Sequence, residues 1–263
     1  MSKIGIVALS SAPGEAGGVD VYTRGLVNAL AAHKVEGNTY TVIVADSTLA
    51  LWTYRKWPSH IHFTAVHSTA GPRTRVDLLR DVTRRVMGWT SMPRHGKEYV
   101  ARQLDSLHLD LLHFPNTVIY PLSLHTPCVL TFFDMQHEYY PQFFTNDELG
   151  YRASTYRSSV ELAAHLIVPS DYTRRTLHER YNVPLEKLSL IPVGISDTFG
   201  RSESAKIAYV RAKYQLPTEF IYYPANPWQH KNHARLMAAL RLYREQHGEC
   251  RPLVLSGRLR NER

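Results

Sequence analysis

The fold is first indicated by the segment Lys3-Ile4-Gly5-Ile6-Val7-Ala8-Leu9-Ser10-Ser11-Ala12-Pro13-Gly14-Glu15-Ala16-Gly17-Gly18. Its first seven residues form a short, nearly continuous apolar run, which predicts a β-strand buried on both faces. A loop containing glycine follows, and after it apolar residues recur at helical spacing: Val19, Tyr22, Leu26, Ala29 and Leu30. This succession is typical of the first strand and helix of a parallel α/β sheet.

The same alternation continues along the chain. Further apolar runs predict strands at Thr41–Ala45, Ile61–Val66, Leu109–Phe114, Cys128–Phe133, Leu166–Pro169, Leu188–Pro192, Phe220–Pro224 and Leu253–Ser256. Between them, helical periodicity predicts helices over 148–163, 171–181, 203–214 and 232–246. We therefore expect an α/β fold with a doubly wound, Rossmann-like parallel sheet and right-handed crossovers.

A change in composition near residues 194–203 predicts a domain boundary, because a polar stretch there follows an apolar strand. We expect an N-terminal Rossmann-like domain over 1–195, a connecting segment with a helix over 196–218, and the start of a second Rossmann-like domain over 219–263. This last part is much shorter than the roughly 100 residues of a comfortable α/β domain, so we expect the second domain to be incomplete here.

The composition excludes several classes of protein. With 263 residues and 44% hydrophobic content, the chain can bury a core without covalent cross-links. Two cysteines, Cys128 and Cys250, exclude a disulfide framework and a metal cluster built on cysteine. No apolar run approaches the roughly 18–20 residues of a membrane span, and the N-terminus is too short for a signal peptide. We expect a cytoplasmic protein whose membrane contacts are peripheral.

The chain carries a formal charge of +8, which favours anionic partners. Much of this excess lies in residues 72–102, which hold eight basic and three acidic side chains. Within this stretch, 75–89 has one apolar stripe and arginines on its other faces. It fits a surface helix that meets anionic lipid at the inner membrane face, or a solvated helix packed on the domain, which the pattern favours. No recognition motif supports a nucleic-acid partner.

The loop before the first helix is the first candidate site. Glycines such as Gly17 and Gly18 allow a ligand to approach backbone N–H groups at a helix N-terminus. The loop lacks the Gly-x-Gly-x-x-Gly pattern of dinucleotide sites. Asp20 already complements the helix dipole, which argues for a neutral, hydroxyl-rich ligand rather than a phosphate. The alternative is a glycine turn that serves only close packing.

Two further candidates follow predicted strands. Asp134 ends a buried strand, and His137 can titrate near neutral pH. Six aromatic residues between Phe132 and Phe144 suit a sugar or lipid platform, although each one singly fits a core position better. Ser170 is a candidate ligand residue that is better explained as the N-cap of the next helix.

The fourth candidate is the turn from Pro224 to His233. Lys231 stands near a helix N-terminus, where a positive charge opposes the helix dipole, so an anion between them would explain it. His230 and His233 suggest a metal, but no carboxylate or cysteine lies near them in sequence. We therefore expect no metal site.

Six motifs in order resemble the retaining glycosyltransferases of family 4, also called the glycosyltransferase group 1 family, which have GT-B architecture. They are Gly17-Gly18-Val19-Asp20-Val21-Tyr22, Leu111–Asn116, Val129–Asp134, Leu166–Leu177, Leu190–Ile195 and Pro224–His233. The resemblance covers essentially the whole chain. It implies two facing Rossmann-like domains with a cleft between them, the first holding the acceptor and the second a nucleotide-sugar.

The resemblance also implies roles for single residues. Gly18, with Gly17 beside it, matches the glycine whose backbone faces the transferred sugar and its phosphate. Lys231 matches the lysine that neutralises the donor diphosphate as the leaving group develops charge. Such enzymes usually need no metal or other cofactor, and the nucleotide-sugar is a substrate.

Three departures from the family pattern stand out. Phe133 replaces the strand-end histidine that touches the transferred sugar, and His137 is a candidate substitute beside the retained Asp134. Asn226 stands at or beside the position of the arginine that accompanies the lysine. The family's downstream pair of glutamates, which bind the donor, does not occur, so the sequence as given lacks most of the donor site.

Two hypotheses result. In the first, the intact protein transfers a hexose, with mannose as one candidate, from a nucleotide-sugar to a glycan or lipid-linked acceptor in cell-surface polysaccharide synthesis. In the second, the chain is a truncated, non-catalytic transferase-like domain that binds a glycan or a partner protein.

Overall fold

A computed structural model of the chain describes residues 2–11, 17–67, 94–195, 200 and 202–257. The chain divides into two compact units, Met1–Gly194 and Ile195–Arg263. The predicted helix over 75–89 and loop residues 12–16 lie outside the described residues. Among the described helices, none has the length and apolar character needed to cross a membrane.

One parallel sheet of seven strands forms the centre of the first unit. The strands are β1 (Ser2–Val7), β2 (Asn38–Ala45), β3 (Ile61–Val66), β4 (Leu111–Phe114), β5 (Cys128–Thr131), β6 (His165–Val168) and β7 (Leu188–Leu190). They lie in the order β3-β2-β1-β4-β5-β6-β7, and every neighbouring pair is parallel. The predicted α/β fold with a parallel sheet is therefore confirmed.

Helices flank this sheet on both faces. They are α1 (Gly18–Ala32), α2 (Leu49–Trp52), α3 (Arg94–Asp105), α4 (Gln136–Tyr139), α5 (Asn146–Leu162) and α6 (Asp171–Tyr181). The helices predicted after the first strand, over 148–163 and over 171–181 are confirmed. The short helices α2 and α4, and α3 at the end of the basic stretch, were not predicted, because one to three turns carry too little periodicity.

Alternation along the strands divides the core into two clusters. One face of the sheet packs against α3, α5 and α6, with Leu104, Phe132 and Leu177 fully buried there. The other face packs against α1 and α2, through residues such as Val27 and Trp52. Burial of each such side chain contributes roughly 1.5–3 kcal/mol to folding, which is why these runs lie at the centre of the sheet.

The second unit contains α7 (Ser204–Lys213), β8 (Ile221–Pro224), α8 (His233–His247) and β9 (Leu253–Ser256), with β8 and β9 parallel. The strands and helices predicted here are confirmed. No described residue of this unit is buried. Large apolar side chains are exposed instead, among them Tyr222, Met237, Leu242, Tyr243 and Leu255.

Candidate functional site

The carboxyl edge of the seven-stranded sheet contains the point where the strand order reverses. From β1 the chain passes to β2 and β3 on one side, and it returns on the other side at β4. Ligands of open α/β sheets bind at such a reversal, beyond the carboxyl ends of the strands. Two loops meet here, since the Asn116 Nδ2 donates to the Ser10 Oγ at 3.4 Å.

The start of α1 lies at this reversal. Gly17 is the N-cap residue in extended backbone, and no side chain caps the helix there. Among the described residues, nothing lies within 4 Å of the Cβ positions that Gly17 and Gly18 lack. Close packing among the described residues therefore does not require glycine at these two positions, and the approach of a ligand to this backbone stays a prediction.

Asp20, in the first turn of α1, has a structural role. Its buried carboxylate accepts a hydrogen bond from the Ser11 hydroxyl at 2.6 Å and pairs with the Arg24 Nε at 2.8 Å. The Ser11 carbonyl accepts in turn from the Trp52 indole at 3.4 Å. Asp20 thus fastens the loop after β1 to the helix that follows it.

Beneath this edge, the Thr131 side chain connects three elements of the first unit. The sequence analysis did not identify Thr131 as a candidate residue. Its hydroxyl lies 2.9 Å from the Nε2 of His113, at the end of β4, and 3.3 Å from the hydroxyl of Tyr22, in α1. His113 is buried, and this burial lowers its pKa to about 4, so its imidazole is neutral near pH 7. The network joins β4, β5 and α1. The sequence signal that could have identified this network is a polar residue at the end of each buried strand.

The loop after β5 carries Asp134, whose carboxylate is exposed. Its Oδ1 accepts from the backbone N–H of Gln136 at 3.1 Å, a local turn that begins α4. The preceding carbonyl, of Phe133, accepts from the Thr173 hydroxyl of α6 at 3.1 Å. These bonds place Asp134 at the carboxyl edge of β5. Its assignment as a catalytic residue stays a prediction.

His137 is buried rather than open to this edge. Its ring is nearly perpendicular to the rings of Tyr156 and Phe144, with centroids 4.9 Å and 6.5 Å away. Burial, followed by the positive charge of Arg152, lowers its pKa, against the opposing effect of Glu138 and Asp134. Neither ring nitrogen has a hydrogen-bond partner in the described part of the chain. The catalytic role of His137 stays a prediction.

Ser170 caps α6. Its Oγ accepts from the backbone N–H of Thr173 at 3.1 Å and lies 2.9 Å from that residue's hydroxyl. The N-cap interpretation is therefore confirmed. A role of Ser170 in donor binding is a separate prediction.

In the second unit, Asn226 and Lys231 lie on the turn that follows β8. The Tyr223 hydroxyl donates to the carbonyl of Lys231 at 2.7 Å, which holds the turn against the strand, and the Lys231 side chain is exposed. A Cβ on Gly257 would lie 2.5 Å from the carbonyl oxygen of Ala225. The loops after β8 and β9 thus pack backbone against backbone, which only glycine allows.

The two histidines of this turn make aromatic contacts. His230 lies 5.4 Å from the Trp228 ring, and His233 lies 5.1 Å from the Tyr223 ring. Within the described ranges, no three histidine, cysteine, aspartate or glutamate side chains form a group that could hold a metal ion. Independence from metals remains a prediction about the reaction.

The model of the Glycosyltransferase Family 4 matches residues 16–199. No curated protein sequence matches the chain. Among solved structures, sucrose-phosphate synthase of Thermosynechococcus elongatus is similar, with a TM-score of 0.62 and 17% identity, over 100% of this chain and 64% of that one.

Two other solved structures are also similar. HepE of Anabaena, solved in complex with UDP and glucose, has a TM-score of 0.58 and 14% identity, over 97% of this chain and 60% of its own. WaaG, a glycosyltransferase involved in lipopolysaccharide biosynthesis, has a TM-score of 0.55 and 14% identity, over 96% and 62%. At these identities the likeness shows the fold, that of the GT-B glycosyltransferases. The chain spans less than two thirds of each of the three structures.

Proposed function

Because the chain belongs to glycosyltransferase family 4, we propose that its protein transfers a hexose, with mannose as one candidate, from a nucleotide-sugar to a glycan or lipid-linked acceptor. The transfer retains the anomeric configuration and serves cell-surface polysaccharide synthesis. The observation that carries the proposal is the position of Gly17 and Gly18 at the reversal of strand order. Backbone N–H groups there are suited to a sugar hydroxyl or a phosphate oxygen.

Two of the similar structures support this choice of substrates. HepE was solved with UDP and glucose, and WaaG acts in lipopolysaccharide biosynthesis. At 14% identity both structures show the fold alone, so donor and acceptor are proposals for this chain.

We propose different roles in the reaction for residues of the two units. In the reaction, the bond between the anomeric carbon and the diphosphate oxygen breaks, and a bond to an acceptor oxygen forms as that oxygen loses its proton. The diphosphate gains negative charge, and we assign its stabilisation to the exposed ammonium group of Lys231, with Asn226 as a second donor contact. Asp134 and His137 are the proposed catalytic residues of the first unit, and Gly17, Gly18 and Ser170 are proposed to contact the donor.

We propose that residues 1–195 form the acceptor domain and that 219–263 begin the nucleotide-sugar domain, connected by 196–218. Exposed apolar residues of the second unit, such as Met237, Leu242 and Leu255, support this view. Further polypeptide that completes a Rossmann-like domain would bury them, since isolated apolar faces of this kind are unfavourable.

The test compares two lysines of the second unit. Lys231→Ala in the intact protein should lower kcat/KM for the nucleotide-sugar about 100-fold or more, because the leaving group loses its cation. Lys206→Ala, which removes an exposed lysine of α7, should retain the wild-type value. An unchanged rate in Lys231→Ala would contradict its assigned role. Absence of turnover by the intact protein would favour the non-catalytic alternative.

A further inference from the structure

Tyr22 and Phe133 form an aromatic pair beside the start of α1. Their rings meet edge to face, with centroids 5.1 Å apart and an interplanar angle of 88°. Both side chains are half-buried. Tyr22 lies one turn beyond Gly18, and Phe133 immediately precedes Asp134, so the pair stands among the candidate ligand residues of the first unit.

The polar groups of these two residues are engaged below the rings or along the backbone. The Tyr22 hydroxyl is directed to the hydroxyl of Thr131, which is also bonded to the imidazole of His113. The Phe133 N–H donates to the Thr117 hydroxyl at 3.5 Å, and its carbonyl accepts from the Thr173 hydroxyl. The Phe133 side chain is hydrocarbon throughout, and the one polar atom of the Tyr22 side chain is engaged with Thr131. We call this pair of half-buried rings the Tyr22–Phe133 wall.

Such a wall discriminates between sugar substituents. A hydroxyl pressed against hydrocarbon gives up its hydrogen bonds to water and receives none in return. A methyl group at the same place gains from leaving water. His113, which is connected to Tyr22 through Thr131, brings no positive charge to the wall. Burial lowers the pKa of its imidazole and keeps it neutral.

We propose that the Tyr22–Phe133 wall selects a nucleotide-sugar whose transferred sugar presents a methyl group. That methyl is either C6 of a 6-deoxyhexose or the methyl of an acetamido substituent. The inference rests on the proposed function and specifies the class of hexose that is transferred.

Matched donors separate the two sources of a methyl group. For the intact protein, kcat/KM is measured with UDP-glucose, UDP-6-deoxyglucose and UDP-N-acetylglucosamine, and with GDP-mannose and GDP-6-deoxymannose. Each comparison keeps the base constant and changes one substituent. The expected result is a preference of about 10- to 100-fold for the methyl-bearing donor in one kind of pair. A preference in the deoxy pairs identifies C6, and one for the acetamido donor identifies C2.

Variants test whether the wall is the cause. Phe133→His places a hydrogen-bond donor in the wall and should reduce the preference at least tenfold, mainly through KM of the hydroxyl-bearing donor. Phe133→Leu keeps the surface apolar and should keep the preference. The control is Phe63→His, since Phe63 is a half-buried phenylalanine of β3 that packs against Trp57. It should leave the preference at the wild-type value.

The possible failures differ from one another. Equal use of both members of every pair overturns this inference and leaves the proposed function intact. A preference that Phe133→His does not change overturns its assignment to the wall. Absence of turnover with every donor overturns the proposed function, and this inference falls with it.

Discussion

Thr131 shows how one side chain organises the candidate site. Its hydroxyl is in contact with His113, 18 positions away, and with Tyr22, 109 positions away. The sequence predicts that the strands and the helix carrying these residues belong to one doubly wound domain, and it does not predict which side chains meet. Asp134 and Gly18 could be proposed as candidates because strand ends and glycine loops have local signatures, whereas contacts between distant segments have none.

His113 makes stability depend on pH. Its pKa is about 4 in the folded protein, against 6.5 for the free side chain. Below pH 6.5 the unfolded chain binds a proton at this histidine that the folded chain does not bind. The stability that depends on neutral His113 is therefore fully present above pH 6.5 and is lost as the pH falls towards 4. The loss amounts to about 3 kcal/mol. Urea unfolding between pH 7 and 4.5 measures it.

Two glutamine variants isolate this effect. His113→Gln keeps an amide that can bond to Thr131 and removes the titration, so its free energy of unfolding should fall less steeply with pH than that of the wild type. His62→Gln changes an exposed histidine of β3 and should keep the wild-type slope. Equal slopes in His113→Gln and the wild type would contradict the assignment.

The helix α5 begins earlier than its hydrophobic periodicity predicted. It starts at Asn146 rather than 148, because Thr145 and Glu148 form a capping box. The Thr145 hydroxyl accepts from the Glu148 N–H at 3.2 Å, and the Glu148 carboxylate accepts from the Thr145 N–H at 2.9 Å. The Thr-x-x-Glu pattern was present in the sequence and would have given the correct start.

Loss of this cap should weaken the packing of α5 on the sheet. Thr145→Ala should reduce the free energy of unfolding by about 1 kcal/mol, because a backbone N–H of the first turn loses its acceptor. Thr145→Ser keeps the acceptor oxygen and should stay within a few tenths of the wild type. Thermal or urea unfolding compares the three proteins. Equal losses in the alanine and serine variants would argue against the cap.

The sheet as a whole was predictable because its strands are nearly continuous apolar runs. Ile61–Val66 and Leu253–Ser256 are examples in which predicted and observed bounds coincide. The order β3-β2-β1-β4-β5-β6-β7 is set by contacts between distant segments, and the sequence alone predicted only the parallel, doubly wound class. The aromatic stretch from Phe132 to Phe144 was ambiguous for the same reason. Phe132 and His137 pack around Tyr156, whereas Tyr140 is exposed.

The division into two units frames the account of function. The first unit has a buried core and the candidate residues from Gly17 to Ser170, and the second carries Lys231 on an exposed turn. The proposed transfer assigns roles to residues of each unit. The activity of the intact protein is therefore the property on which the account depends.

The most direct measurement is the release of nucleoside diphosphate from nucleotide-sugars by the intact protein, with and without an acceptor glycan or glycolipid. The anomeric configuration of the product is read by NMR. Under the proposed function, release depends on the acceptor, and the product linkage has the same anomeric configuration as the donor. Failure of the intact protein to bind or cleave any nucleotide-sugar would contradict the account, and a product of inverted configuration would contradict retention.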